Sequence, residues 1–194
     1  MIAAVILAGG EARRLGGGDK PLLEIGGTTL LARILQVLAT EIESIAISAN
    51  GDPQRFVVFD VPVLNDGAFL GFGPLAGILA GLDWAARVGA SRMLSVPGDT
   101  PFIPPDLARR LAPAPAFAAS GGRAHPAVAL WPVSCRTVLR ERLSGPGSRS
   151  VIGFAESIAA RRVEFSQQRG DPFMNVNTPA DLAAVQQRND TSRG

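Results

Sequence analysis

With 194 residues, 46% of them hydrophobic, the chain is long enough for one domain with a substantial core, and a net charge of +2 with scattered arginines excludes a blocked basic surface for nucleic acid. The sequence pI near 9.4 reflects the absence of Tyr and the single Cys more than real basicity. That lone Cys135 excludes an internal disulfide and a Cys-rich zinc site, no apolar run approaches the ~20 residues that span a bilayer, and the start lacks the basic opening of a secretory leader, so a reducing cytoplasm with no membrane is expected.

In chain order, Ile2–Leu7 is an unbroken apolar run and predicts a buried strand. Residues 8–18 hold five glycines and predict an irregular loop, followed over 21–27 by a short extended piece and a turn. Thr28 or Thr29 reads as the N-cap of a helix reaching about residue 39, with Leu31, Ile34, Leu35 and Leu38 on one face. Residues 44–49 predict a second strand, and 56–64 a weaker strand region broken at Pro62. Gly73-Pro74 opens a helix over 75–87, in which Gly77 and Gly81 imply close packing or close approach to a ligand. Residues 92–96 predict a strong strand that ends at Pro97-Gly98-Asp99. Pro104-Pro105-Asp106 starts a short helix to Leu111, and 112–116, rich in Pro and Ala, read as a turn. A strand over 127–131, helices over 134–143 and 150–160, and a strand over 161–165 follow. Thr178-Pro179 starts a last helix, 180–187, and 189–194 should fray beyond a single domain of residues 1–188. Strands alternating with helices predict a three-layer α/β fold with a mainly parallel sheet, whose ligands bind outside the carboxyl ends of the strands.

The polar motifs fall at those strand ends. In Leu7-Ala8-Gly9-Gly10-Glu11-Ala12-Arg13-Arg14-Leu15-Gly16-Gly17-Gly18-Asp19-Lys20, glycines allow backbone N–H groups to face a phosphate, and Arg14 and Lys20 add positive charge. Lys20 is the only Lys beside eighteen Arg, a compact charge where the chain otherwise uses the planar fork. A Walker loop does not fit, since Pro21 follows Lys20, and neither does a dinucleotide fingerprint, since no helix opens at once. Asp99, boxed by Pro97 and Pro101 after a buried strand, suits magnesium; it could also cap a helix, though Asp106 is better placed for that. Asp66 reads as a nucleotide or metal contact, or as a turn residue. Asn175 and Asn177, alternate positions before the Thr178 cap, offer amides on one face. His125 and Cys135 stand alone of their kind, with no nucleophile elbow around either.

Taken together, Leu-Ala-Gly-Gly with Arg14 and Asp19-Lys20, Gly73-Pro74-Leu75-Ala76-Gly77, Pro97-Gly98-Asp99-Thr100-Pro101-Phe102 and Asn175-Val176-Asn177-Thr178-Pro179-Ala180-Asp181-Leu182 resemble the molybdenum cofactor guanylyltransferases over nearly the whole chain. His125-Pro126 before Ala129-Leu130, and Phe173, fit the same pattern. The resemblance implies a Rossmann-like nucleotidyltransferase fold and transfer of GMP from GTP to molybdopterin, with release of pyrophosphate. It implies that Leu7, Ala8, Gly9 and Gly10 contact the guanine nucleotide, that Lys20 and Arg14 bind phosphates, and that Asp66 contacts nucleotide. Asp99 would hold Mg and nucleotide, Asn175 and Asn177 would lie on the pterin side or near the metal, and other cofactor-assembly proteins would be partners. Departures are Gly98 where Cys is commoner, Ala12 where Ser is frequent, and Ser48 where an Asn is often found to contact the nucleotide. The alternatives are a cytidylyltransferase acting on the same pterin, a sugar-phosphate nucleotidyltransferase, and a nucleotide-binding subunit without turnover.

Overall fold

The computed structural model of the chain describes residues 1–9, 20–168, 170–176 and 181. Gly10, Arg14, Asn177, the Thr178 cap and the tail 189–194 lie outside the described residues, and of the predicted last helix only Asp181 is described, as helical.

Its elements are β1 (Ile2–Leu7), β2 (Glu24–Ile25), β3 (Thr28–Thr29), α1 (Leu30–Leu38), β4 (Ser44–Ser48), β5 (Val63–Leu64), α2 (Pro74–Arg87), β6 (Arg92–Pro97), α3 (Leu107–Leu111), β7 (Ala116–Ser120), β8 (Arg123–Pro132), α4 (Arg136–Ser144), α5 (Val151–Ser157) and β9 (Arg161–Phe165). Seven strands form one sheet in the order β5-β4-β1-β6-β8-β7-β9, while β2 and β3 make a separate small hairpin. β8 alone runs against the others: it pairs antiparallel with β6 and β7, and the remaining ladders are parallel.

Alternation along β1 shows why both faces are covered. Ala4 and Ile6 pack with Ile34 and Leu38 of α1 and Leu107 and Leu111 of α3. Ala3 and Val5 face the opposite layer, with Ile78 and Leu82 of α2, Leu139 of α4, Phe154 of α5 and Trp131. Two separately buried faces require a continuous apolar strand rather than an alternating one. α1 begins where Thr29 accepts the Ala32 N–H at 3.1 Å, and α5 where Ser150 accepts the Gly153 N–H at 3.3 Å. Gly81 sits where an added Cβ would lie 2.8 Å from Val5 Cγ1, so its absence lets α2 approach β1.

Three segments differ from the sequence expectation. Residues 56–64 do not make a strand region: Pro53–Phe59 forms a 3-10 helix, opened by Asp52 accepting the Gln54 N–H at 2.9 Å and ended by Asp60 at φ 50°. Phe56 is fully buried there while Val57 and Val58 face solvent, and only Val63–Leu64 pairs with β4. The β-branched pair carries strand propensity, but the cap and Pro53 decide the local structure. The predicted turn at 112–116 leads directly into β7, whose small residues Ala116, Ala118 and Ala119 carry weak strand propensity. All five of its residues are buried between β8 and β9. β8 is twice as long as expected and starts at Arg123. It carries a bulge: Phe117 pairs with Ala129 but Ala118 pairs with His125. Pro126, which has no N–H for the ladder, lies in that irregularity.

Candidate functional site

The chain fills one side of the sheet (β4, β5) before returning to the other (β6, β8), so the carboxyl ends of β1 and β6 flank a reversal of strand order. Open α/β sheets bind ligands at such a point. A cavity of about 690 Å³ lies there. Leu7, Gly9 and Ser48 line it from the ends of β1 and β4, Lys20 and Asp99 from the loops after β1 and β6, and Asp66 and Asn175 from more distant segments. Seven candidate residues scattered from position 7 to 175 therefore meet at one cleft.

Ala8 is the exception among those described. It is buried, and its N–H donates to the Ser48 carbonyl at 2.8 Å, so a ligand contact from Ala8 must come through its carbonyl. Ser48 sits deep beneath α2, where a Cβ on Gly77 would lie 2.5 Å from the Ser48 Oγ. The missing side chain at Gly77 thus gives the serine its room.

Lys20 and Asp99, 79 positions apart, form an ion pair at the centre of the site. Their side chains are 12% and 18% exposed, so the pair is shielded from bulk water without being cut off from it. An ammonium can hold a carboxylate and a phosphate oxygen at once. The second oxygen of Asp99, Oδ1, is buried without a hydrogen-bond partner among the described residues, and so is Oδ1 of Asp66. Buried carboxylate oxygens ordinarily find partners; two orphans lining one cleft fit a hard cation or a ligand donor. Among the described residues no group of three or more His, Cys, Asp or Glu gathers, and the carboxylates at the cleft are Asp66 and Asp99. That donor set suits magnesium, which keeps waters and phosphate oxygens in its shell.

Asp66 is held by a residue that the sequence reading missed. Asn50 donates from its amide nitrogen to Asp66 Oδ2 at 2.7 Å and accepts the Asp66 N–H on its amide oxygen at 3.0 Å. Arg55 donates to the Asn50 backbone carbonyl. Asn50 also lines the cleft, and its sequence signal is an amide two residues past the end of the second strand. The structure thus puts an Asn beside the cleft at 50 as well as Ser48. Asp66 stands at the N-cap of a short 3-10 turn but gives it no side-chain bond, so its carboxylate is not occupied as a cap. Asp106 likewise makes no cap bond; it pairs with Arg109 at 3.4 Å.

Asn175 is placed by its neighbour: the Val176 N–H donates to the Asp99 carbonyl at 3.0 Å, laying this segment along the Asp99 loop. Gly98 completes the wall. Its N–H donates to the Leu7 carbonyl at 2.9 Å, and an added Cβ would lie 3.0 Å from Pro21 Cγ. Ala127, carried inward by the β8 bulge, lines the same cleft, and its carbonyl accepts the Ser95 hydroxyl at 2.8 Å. Cys135 lies in the core between α2 and α4, where burial pushes its thiol up to about 12, so it stays a neutral thiol. It does not touch His125, which instead bonds Ser120. Among the described residues no helix is long and apolar enough to cross a membrane.

Comparison with known proteins agrees with this geometry. Residues 4–162 match the MobA-like NTP transferase domain. The chain is 53% identical to the molybdenum cofactor guanylyltransferase of Acidiphilium cryptum, over 95% of this chain and 94% of that one. It is 48% identical to the protein of the same name from Rhodopseudomonas palustris strain HaA2, over 94% and 90%. Among solved structures, molybdopterin-guanine dinucleotide biosynthesis protein A from Archaeoglobus fulgidus superposes with a TM-score of 0.73 at 21% identity, covering 98% of this chain and all of that one. A nucleotidyl transferase from Methanothermobacter gives 0.74 at 20% identity, covering 99% of each. At those identities the structural matches establish the fold, a nucleotidyltransferase-like α/β architecture.

Proposed function

The chain belongs to the MobA-like NTP transferase family, as a molybdenum cofactor guanylyltransferase-type nucleotidyltransferase, and we propose that it transfers GMP from GTP to molybdopterin in a magnesium-dependent reaction. The observation that carries this reading is the meeting of Lys20, Asp66, Asp99 and Asn175 around one cleft at the strand-order reversal.

In that reaction a phosphate oxygen of molybdopterin attacks the α-phosphorus of GTP. One P–O bond forms, the bond to the β-phosphate bridge breaks, and pyrophosphate leaves. The nucleophile is already an anion, so no side chain has to remove a proton. Positioning and charge neutralisation carry such chemistry. Lys20 neutralises phosphate charge from beside Asp99. Asp99 would hold magnesium, and magnesium when bound would supply further neutralisation of the triphosphate. Asp66, oriented by Asn50, takes a donor group of the nucleotide. Leu7 and Gly9 line the cleft on the nucleotide side and Asn175 attends the acceptor; the family pattern would add Ala8 and Gly10 to the nucleotide contacts, Arg14 to the phosphates and Asn177 to the acceptor side. Because the donor is a nucleoside triphosphate, the setting proposed is the cytoplasm, with other cofactor-assembly proteins handing molybdopterin in and taking the product.

The test is calorimetry with GTP, CTP, ATP and UTP, with and without magnesium, followed by pyrophosphate release on adding molybdopterin. Magnesium-dependent preference for GTP with turnover is expected. Preference for CTP would move the assignment to cytidylyl transfer, binding without pyrophosphate release would leave a nucleotide-binding subunit, and indifference to magnesium would remove the metal.

A further inference from the structure

One buried polar cluster lies outside this chemistry. Ser120, 1% exposed at the end of β7, has its Oγ 2.8 Å from His125 Nε2 on β8 and 2.8 Å from Asp171 Oδ1. A hydroxyl has one proton, and a carboxylate only accepts. Ser120 therefore donates to Asp171, and His125 must donate its Nε2–H to Ser120. That order of donors settles the tautomer. It also excludes a nucleophilic serine, because the histidine nitrogen facing Ser120 carries a proton and has no lone pair to take one.

The cluster leads toward the cleft. Asp171 Oδ1 also accepts the Phe173 N–H, at 2.9 Å. The fully buried Phe173 packs its ring on His125, 5.1 Å between centroids, and edge-on to Phe165 at 5.0 Å. Three residues on, Val176 is buried against Ile25 and Leu30, and its N–H is bound to the Asp99 carbonyl. The segment 171–176 is thus fastened at two places, to the β7–β8 hairpin through Ser120 and His125 and to the metal-side loop through Asp99. Asn175, the residue of this segment that lines the cleft, sits between the two fastenings. Ala127, two residues past His125 in the bulged stretch of β8, also lines the cleft. The hydrogen-bonded group is therefore joined to two stretches of chain that line the site.

We propose that His125, Ser120 and Asp171 are positioning residues for the acceptor, acting through the 171–176 segment to hold Asn175 in register with Asp99. This rests on the reading of the cleft as a nucleotidyltransferase site in which Asn175 serves the acceptor side. Among the described residues, Asn50 bonds Asp66 and Lys20 bonds Asp99 on the nucleotide side, while the cluster's own bonds join Ser120, His125 and Asp171. The effect of loosening it should accordingly fall on one substrate and spare the other.

The test uses Ser120→Ala, His125→Leu and His125→Gln in the full chain. A glutamine amide nitrogen can occupy the place of Nε2 and donate to Ser120. Steady-state kinetics should show the KM for molybdopterin rising about three- to tenfold in Ser120→Ala and His125→Leu, the loss expected for one neutral hydrogen bond. The GTP dissociation constant should stay within about twofold, and His125→Gln should recover most of the loss. Amide hydrogen exchange supplies a readout that needs no turnover. In Ser120→Ala, exchange of Phe173, Met174 and Val176 should accelerate about tenfold or more while β1 and β6 keep their protection. Unchanged exchange over 171–176 in folded Ser120→Ala would overturn the proposal, as would an equal loss of GTP affinity or a His125→Gln no better than His125→Leu. If the wild-type chain shows no transfer to molybdopterin, the functional reading fails, and the exchange experiment still decides whether the cluster fastens the segment.

Discussion

Asn50 uses both ends of its amide on Asp66, so the carboxylate can neither rotate freely nor be satisfied without it. Asn50→Ala should release Asp66, leaving a second carboxylate oxygen without its partner, and weaken GTP binding by about tenfold with little loss of fold; calorimetry showing unchanged affinity would remove Asp66 from the nucleotide site. Asp99→Asn tests the centre. It keeps volume but removes the charge that balances Lys20 and would hold the metal, so turnover should fall at least about a hundredfold and magnesium should no longer change GTP affinity. Retained magnesium dependence would place the metal elsewhere. Gly98 is a tight point of the wall. An alanine there would put its Cβ 3.0 Å from Pro21 and 3.2 Å from the Leu7 carbonyl, displacing the residue next to Lys20 before anything else moves. At this scale the site is partly legible in sequence. Lys20 stands out as the only Lys, closing a Gly-rich loop, Asp66 and Asp99 as carboxylates just past apolar strand ends, and Asn175 as one of two alternate Asn before a helix cap. Asn50 and Ser120 do not, because a lone Asn before Gly51 reads as a turn and Ser120 closes an alanine-rich stretch that carries no strand signal.

The elements show which sequence signals override others. Ile2–Leu7 is a continuous apolar run and Arg92–Pro97 a mainly apolar one interrupted by Ser95, and they coincide with β1 and β6 almost to the residue, because burial on both faces leaves little freedom in composition. β7 escapes the same reading because its alanines carry no strand preference, and only pairing on both sides makes it a strand. The edges of the sheet are β5, only two residues long, and β9, which opens with exposed Arg161 and Arg162; shortness and charge keep each from pairing with another chain. Ser95 is the polar residue on which the β8 bulge depends. Fully buried, it accepts the Trp131 indole N–H at 2.8 Å and donates to the Ala127 carbonyl. Ser95→Ala should destabilise the protein by about 1–3 kcal/mol, since it strands a buried indole N–H. A shift below about 0.5 kcal/mol in urea unfolding would show that the bulge is held without it. Gly81→Ala sets two effects against each other. Alanine gains about 1 kcal/mol of helix propensity. Its Cβ, however, would meet Val5 Cβ at 2.9 Å and Met93 Sδ at 2.7 Å, and the β-branched Val5 cannot swing aside. Overpacking of about 1–3 kcal/mol should win, giving a net loss.

On the scale of the molecule, the alternation of strands and helices makes a mainly parallel sheet legible, and the parallel ladders flanking the reversal place the cleft. The order of the last three strands is not legible, since nothing local shows that β8 inserts antiparallel between β6 and β7. That insertion brings His125 next to Asp171 and ties the far half of the sheet to the cleft, and it has a consequence for stability against pH. Burial lowers the pKa of His125 below 6.5; Arg123 acts in the same direction, while Asp171 and Glu164 oppose it, and burial outweighs them. The folded state therefore binds this proton less readily than the unfolded chain. Where the unfolded state holds more protons, stability rises with pH. The His125 contribution is fully present above about pH 6.5 and declines as pH falls below that value toward the folded pKa. Other carboxylates titrate at lower pH, so the useful quantity is the difference in Tm between the wild-type chain and His125→Gln, which keeps the bond to Ser120 but cannot be protonated. That difference should be constant between pH 7 and 8 and shift against the wild-type chain from about pH 6.5 down to 5.5. A difference that instead moves in favour of the wild-type chain on acidification would mean that Asp171 and Glu164 stabilise the imidazolium, with the proton held on His125 in the native state.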